Sequence, residues 1–401
     1  MLRIYGGNMV LIKNAKILTM AEKSYDNGFI IVDGSKIVEL GDMKNVPEAS
    51  ETDTVIDAEG MYLLPGLIDS HCHIGMAEDS VGFEGDDVNE MTDPVTPQLR
   101  AIDGIYHGDK AFEEAYQNGI TTVVTGPGSA NVIGGQFAAL KTYGRTVDDM
   151  IIKAPCAMKI AFGENPKTVY NEKHQLPTTR MATAALLREQ LYKAKEYLEA
   201  IEKFENDKEE NDKPEFDIKL EALVPVIKGE LVVKAHAHRA DDIFTAIRIA
   251  KEFNLDMTLD HCTEGWLIPD KIKQSGYDVI LGPILTDRSK IELKNQTTKA
   301  PGILSKAGID VAIMSDHPCV SAQHLVLCAS LAVRDGMAEE DALKAITINA
   351  AKSVRLESRI GSLEAGKDAD MVLYTGNPLN YLSKVKMTII DGQIVYENKE
   401  G

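Results

Sequence analysis

Two histidines one residue apart, His71 and His73, close a short apolar run, Gly66-Leu67-Ile68-Asp69-Ser70-His71-Cys72-His73. In a strand, side chains at i and i+2 leave the same face, so both imidazoles can address one point. Imidazole is the commonest metal-ligating side chain, above all for zinc. Further donors recur where apolar runs give way to loops: Glu164, His236 with His238, His261, and Asp316 followed by His317. Together these groups can hold one or two divalent metal ions with water between them. Zinc is the default, and the mixed imidazole and carboxylate set also suits manganese, iron or cobalt. Such a centre polarises a carbonyl and lowers the pKa of bound water towards neutrality. A lone histidine at a strand end is most simply a satisfied structural residue, but recurrence at successive strand ends argues for a shared centre.

The elements that must position these residues alternate in type. Apolar, β-branched runs at 121–125, 157–162, 231–235, 256–259, 279–281 and 310–314 are each preceded by a helical-looking segment, such as 109–118, 240–254, 298–307 and 323–336. Alternation over some 250–300 residues points to a parallel α/β fold, with a (β/α)8 TIM barrel the best-sized candidate. Its catalytic groups sit at the C-terminal ends of strands, where the histidines fall. Residues 9–65 and 369–397 read differently, as short β segments separated by turns such as Asp33-Gly34 and Asp391-Gly392. The two chain ends are therefore expected to pair into one small composite β domain, residues 1–65 plus 356–401, around a barrel at 66–355. Residues 181–204 form a strongly helical excursion that runs into the charged stretch 205–214, a solvated helix end and loop.

The run from Pro65 to His73, the isolated histidines 236 and 261, the Met314-Ser315-Asp316-His317 end and the tail from Gly361 to Leu373 resemble the metal-dependent amidohydrolase superfamily, with an imidazolonepropionase-related flavour. The resemblance covers nearly the whole chain. It implies a barrel with a composite β-sandwich, and hydrolysis of carbon–nitrogen bonds. It also implies His71 and His73 on the more buried metal, His236 and His261 on the second, and Asp316 as ligand and proton shuttle for a metal-activated hydroxide. A carboxylate can take the proton of the attacking water and deliver it to the leaving nitrogen. Relatives bridge the metals with either a carboxylated lysine or a glutamate from the fourth strand. Here Lys159 lies inside the apolar run and Glu164 just past its end, so Glu164 is the expected bridge. If neither bridges, a single-metal site remains. His236 fits the ligand pattern, which leaves His238 to polarise the substrate carbonyl or hold the oxyanion, or to hydrogen-bond a neighbouring group.

Arg239 and His317 are candidates for holding a substrate carboxylate or polar edge, with a surface salt bridge the alternative for Arg239. The glycine-rich stretch 126–136 lets a ligand approach closely and brings Gln136 forward as a substrate contact, with a plain turn the alternative. The acidic run 84–90 reads as part of a long loop over the barrel mouth.

The net charge of −19 argues against a nucleic-acid surface. No apolar run approaches the roughly 20 residues of a membrane helix, and Met1–Asn8 lacks a signal-peptide layout. Five scattered cysteines without CxxC spacing fit reduced thiols in a cytoplasmic protein. The partner expected is a small-molecule substrate, with a homo-oligomer left open. The leading function is hydrolysis of an amide, cyclic amide or related C–N bond. The alternatives are a dipeptidase or N-acyl-amino-acid hydrolase of the same superfamily, or a silent scaffold that has lost its metals.

Overall fold

The computed structural model describes residues 9–78 and 82–399; the reading of Met1–Asn8 lies outside them. Eight strands form one sheet in the order Leu67–Cys72, Ile120–Thr125, Ile133–Lys141, Ile151–Ala161, Val232–Ala237, Met257–His261, Asp278–Leu281 and Val311–Ile313. Backbone bonds from Asp316 N to His71 O (3.1 Å) and from His73 N to His317 O (2.9 Å) join the last strand's end to the first, so the sheet curls into a barrel. The β-branched runs of the sequence all become barrel strands.

One barrel strand departs from the expected parallel pattern. Ile133–Lys141 pairs antiparallel to both neighbours. Its sequence, Ile-Gly-Gly-Gln-Phe-Ala-Ala-Leu-Lys, lacks alternation and has no β-branched residue after Ile133, so only pairing on both sides makes it a strand. The stretch expected as a substrate loop is thus a loop only as far as Val132.

Inside the barrel, side chains stack in layers two residues apart. The lowest layer is apolar: Ile68, Val124, Phe137, Ala157, Val232, Ile280 and Ala312, closed from below by Ala350, Ala351 and Val354. Two residues further along their strands come Lys159 and Lys234, met by Asp260 from the next strand, all fully buried. Above them stand the histidines. Along a single strand the series Val232, Lys234, His236, His238 climbs from hydrocarbon to cation to imidazole, as a period of two dictates.

Outside the barrel, Arg180–Asn206 is a 27-residue helix, started by the Thr179 side chain accepting from Ala182 N. Its buried stripe Ala184, Leu187, Leu191, Ala194 and Leu198 has the 3–4 spacing of a helix laid on a core. Both chain ends build a second sheet, in which Met371–Tyr374 pairs with Tyr62–Pro65. Its core combines Ile12, Ile30, Val32 and Leu63 with Met371, Leu373 and Ile389. Among the described residues no helix is long and apolar enough to cross a membrane.

Candidate metal centre

Five histidines converge at the C-terminal pole of the barrel, and each is anchored through Nδ1. His73 Nδ1 donates to Gly126 O (2.6 Å) and His261 Nδ1 to Gly282 O (2.9 Å). A carbonyl can only accept, so in both rings Nδ1 carries the proton and Nε2 keeps its lone pair. His71 Nδ1 donates to the Asp260 carboxylate at 2.5 Å, which leaves its Nε2 as an acceptor too. His236 and His238 bond through Nδ1 to the hydroxyls of Ser129 and Thr263, each at 2.8 Å. Anchoring one ring nitrogen fixes the direction of the other, the arrangement found around metal-ligating histidines.

The free edges form two groups. His71, His73 and Asp316 make one; His236, His238 and His261 make the other, and within each the ligand atoms lie within 4.8 Å of one another. All six residues are buried, yet Nε2 of His236 and of His261 has no hydrogen-bond partner. A buried polar atom without a partner carries a desolvation penalty of about 1–3 kcal/mol. Lone pairs left in this way, beside an aspartate, fit a divalent cation. The residues present therefore suit the metal that the sequence implies.

Left-handed backbone helps aim the donors. Alternation would send Asp260 and His261 to opposite faces. His261 instead takes φ +69°, and its ring returns over the pole, 5.3 Å from that of His71. Asp316 also lies in the left-handed region, at φ +54°. Such conformations are costly for residues with side chains and concentrate at functional sites.

Beneath the histidines lies a charged layer. Lys234 Nζ stands 2.8 Å from Asp260 Oδ2, both fully buried, and Thr258 Oγ1 donates to Oδ1 at 2.6 Å. Burial raises the Asp260 pKa, but Lys234 and His71 outweigh it and hold the carboxyl below its usual range. Asp316, also buried, faces Nε2 of His73 at 3.4 Å and of His71 at 3.8 Å, so a cation among them would satisfy the carboxylate and the lone pairs together. Burial is the main reason that His261 is pushed down to about 4 and that His71, His236 and His238 fall well below ordinary histidine values. All four rings are therefore neutral at pH 7, as ligands must be.

Lys159 and Glu164 fall differently from expectation. Lys159 sits level with Lys234, paired across the two strands. Its long stem carries Nζ up to 3.1 Å from His71 Nε2, and burial drives its pKa down to about 8. Glu164 belongs to neither ligand group. The strand ends at Ala161, the chain turns at Gly163 (φ +83°), and Glu164 opens the next helix. Its backbone N–H donates to Glu292 Oε2 at 3.0 Å. A lysine stem spans one layer of a barrel interior, so a position inside the strand does not keep the Lys159 amine from the pole.

The mouth opens into a cavity of about 580 Å³, lined by His73, His236, His238, His261 and Asp316 together with Asp86, Asn89, Ser129, Lys290 and Cys319. Its size suits a small molecule. Asp86 and Asn89 bring the acidic loop 84–90 over the mouth. Gln136 is not among the lining residues; its amide donates to Pro97 O at 3.1 Å. Arg239 is also turned away, with its guanidinium on both oxygens of Asp241 at 2.9 and 3.0 Å. His317 Nδ1 accepts from Ala322 N at 3.4 Å, behind the wall that Pro318 and Cys319 supply.

Several contributors escaped the sequence reading: Asp260, Lys234, Phe137, Ser129, Thr263 and Glu292. Asp260 and Lys234 carried a signal, each two residues along a strand from an inward-facing neighbour. Phe137, whose ring lies under His71 at 5.2 Å between centroids, was hidden by the unrecognised antiparallel strand. Gly126, which offers its carbonyl to His73, must be glycine because a Cβ there would lie 2.4 Å from the Phe137 ring. Glu292 is fully buried in the short 3-10 helix Ile291–Leu293, with Oε1 3.6 Å from His238 Nε2 and 4.0 Å from His236 Nε2.

A model of the amidohydrolase family matches residues 62–395, and the chain belongs to that family. Amidohydrolase tasK of Hapsidospora irregularis is 28% identical over 394 residues, covering 92% of this chain but only 40% of that protein. The imidazolonepropionase of Picrophilus torridus is 26% identical over 419 residues, 97% of this chain and 99% of its own. Among solved structures, an amidohydrolase from Thermotoga maritima MSB8 superposes with a TM-score of 0.92 at 40% identity, covering 97% of this chain and 100% of that one.

Proposed function

We propose that the chain is a metal-dependent amidohydrolase that cleaves an amide, cyclic amide or related carbon–nitrogen bond of a small molecule. The observation that carries this reading is the convergence of two groups of imidazole and carboxylate lone pairs at one pole, beneath a cavity of about 580 Å³. His71, His73 and Asp316 would hold one cation, and His236 and His261 a second. Bound there, divalent cations would polarise the substrate carbonyl and lower the pKa of water.

Lys159, not Glu164, is the bridge in this reading. With its pKa near 8, an appreciable fraction of its amine is neutral at pH 7 to 8. The neutral nitrogen adds to carbon dioxide and loses one proton, leaving an anionic carbamate at the edge of both groups. During hydrolysis Asp316 takes a proton from the attacking water as the oxygen–carbon bond forms. It then delivers that proton to the nitrogen as the carbon–nitrogen bond breaks.

A dipeptide or N-acyl amino acid is the second reading, favoured by Lys290. This lysine lines the cavity, with Nζ 2.8 Å from Asn165 Oδ1 and 3.3 Å from Glu292 Oε1, and a substrate carboxylate would share it with Glu292. A screen of N-acyl amino acids, dipeptides, lactams and cyclic ureides on metal-loaded protein tests the proposal. Turnover of one of these classes, lost by 10³-fold or more in Asp316→Asn, is expected. Metal-loaded protein inert to all four classes would refute it.

A further inference from the structure

We propose that His236, His238 and His261 together form a three-imidazole cation site, occupied whether or not residue 159 contributes a ligand. The inference rests on the reading that this pole binds cations. It extends that reading to His238, for which the family resemblance supplies no ligand role.

The geometry is that of a built site. The ring centroids are 4.6 Å apart for His236 and His238, 4.2 Å for His236 and His261, and 4.6 Å for His238 and His261. A cation about 2.0–2.1 Å from each nitrogen is within reach of small side-chain rotations. The loops that carry the three rings are stitched together. Cys262 N donates to Ala237 O at 3.0 Å, Glu264 N to His238 O at 2.8 Å, and Thr263 Oγ1 holds His238 Nδ1. His238 is thus fixed by the same loop that positions His261.

The surroundings match a cation better than a purely structural role. Nε2 of both His236 and His261 lacks a partner, and His238 Nε2 joins them within 4.8 Å. Behind them lies the fully buried Glu292, whose Oε1 is shared between Lys290 at 3.3 Å and His238 at 3.6 Å. Three protein nitrogens and one open position also make up the ligand set of a catalytic zinc site. The other group, with two imidazoles and Asp316, gains from whatever Lys159 provides; the three-imidazole group does not need it.

The test compares metal-depleted wild type, Lys159→Ala, His238→Ala and the double variant, each equilibrated with Zn²⁺ or Co²⁺. Cation content is read by mass spectrometry and the fold by circular dichroism. We expect Lys159→Ala to retain one cation per chain and the double variant to retain none. In His238→Ala the affinity of that cation should fall at least 100-fold, and added imidazole should restore it. A natively folded Lys159→Ala that retains no cation overturns the inference, as does a His238→Ala that binds as tightly as wild type; both leave the metal-dependent reading standing. Wild type that takes up no cation overturns both readings. Should His238→Ala not fold, Thr263→Val removes only the Nδ1 anchor. A loss of about tenfold in affinity then supports the site, and an unchanged affinity overturns it.

Discussion

Two buried lysine–aspartate clusters in this molecule solve the same electrostatic problem with opposite outcomes. At the junction of the barrel and the small β domain, Lys141 lies among Asp368 at 3.0 Å, Asp391 at 3.1 Å and Asp370. Asp368 also receives Lys36 and Arg359. Cation and anion there answer each other, and the cluster fastens two sheets together. At the barrel pole, Lys234 and Asp260 are just as buried, but their pairing serves to aim His71 upward. Above that pair, imidazole lone pairs line a cavity, and the Lys159 amine reaches His71 Nε2 from below. Charges that satisfy one another build a joint, whereas charges that leave donors over build a site.

The comparison breaks most visibly at Asp260. Asp260→Ala strands a buried ammonium and releases His71, so urea unfolding should show a loss of about 3–5 kcal/mol, together with loss of bound cation. Lys141→Met should also destabilise, by about 3 kcal/mol, because Asp370 loses its cation while Lys36 and Arg359 still hold Asp368. Cation content should not change in that variant. Equal loss of metal in both would erase the distinction between joint and site.

Chelation sharpens the contrast. At a thousandfold excess over Kd, a cation that binds only the folded state stabilises by about 4 kcal/mol. Removing it should therefore lower the melting temperature of wild type and of Lys141→Met alike, and lower that of Asp316→Asn less.

Lys159 adds a pH dependence to the metal-free protein. Its folded pKa of about 8 lies below the ordinary 10.5, so between these values the unfolded chain binds more protons. Stability then rises with pH across that window, by on the order of 3 kcal/mol in total. Below about pH 8 the penalty is present in full. Thermal melts of the metal-free protein from pH 7 to 10.5 should show this rise, and Lys159→Met should flatten it. The smallest effect belongs to Arg239→Ala. This change touches only the surface pair with Asp241 and should alter stability by less than about 1 kcal/mol and turnover not at all.

Much of this was legible in the residues. The period of two brought His71 and His73 to one point, β-branched runs marked the parallel strands, and Asp-Gly turns assigned both chain ends to one β domain. These signals are local, and local patterning survives in any fold that buries one face of each element. The antiparallel strand 133–141 escaped because its glycines and alanines carry no such pattern.

The sequence by itself determined which donors exist and at which strand ends they emerge, because side-chain alternation is a property of the strand alone. Only the tertiary structure decided which of them meet. Reach across a barrel interior depends on the level of a residue in its layer and on the length of its stem, so Lys159 arrives beside His71 while Glu164, five residues on, is carried away on a helix. Gln136 and Arg239 are likewise withdrawn from the mouth by bonds to Pro97 and Asp241, partners that no spacing rule could have named.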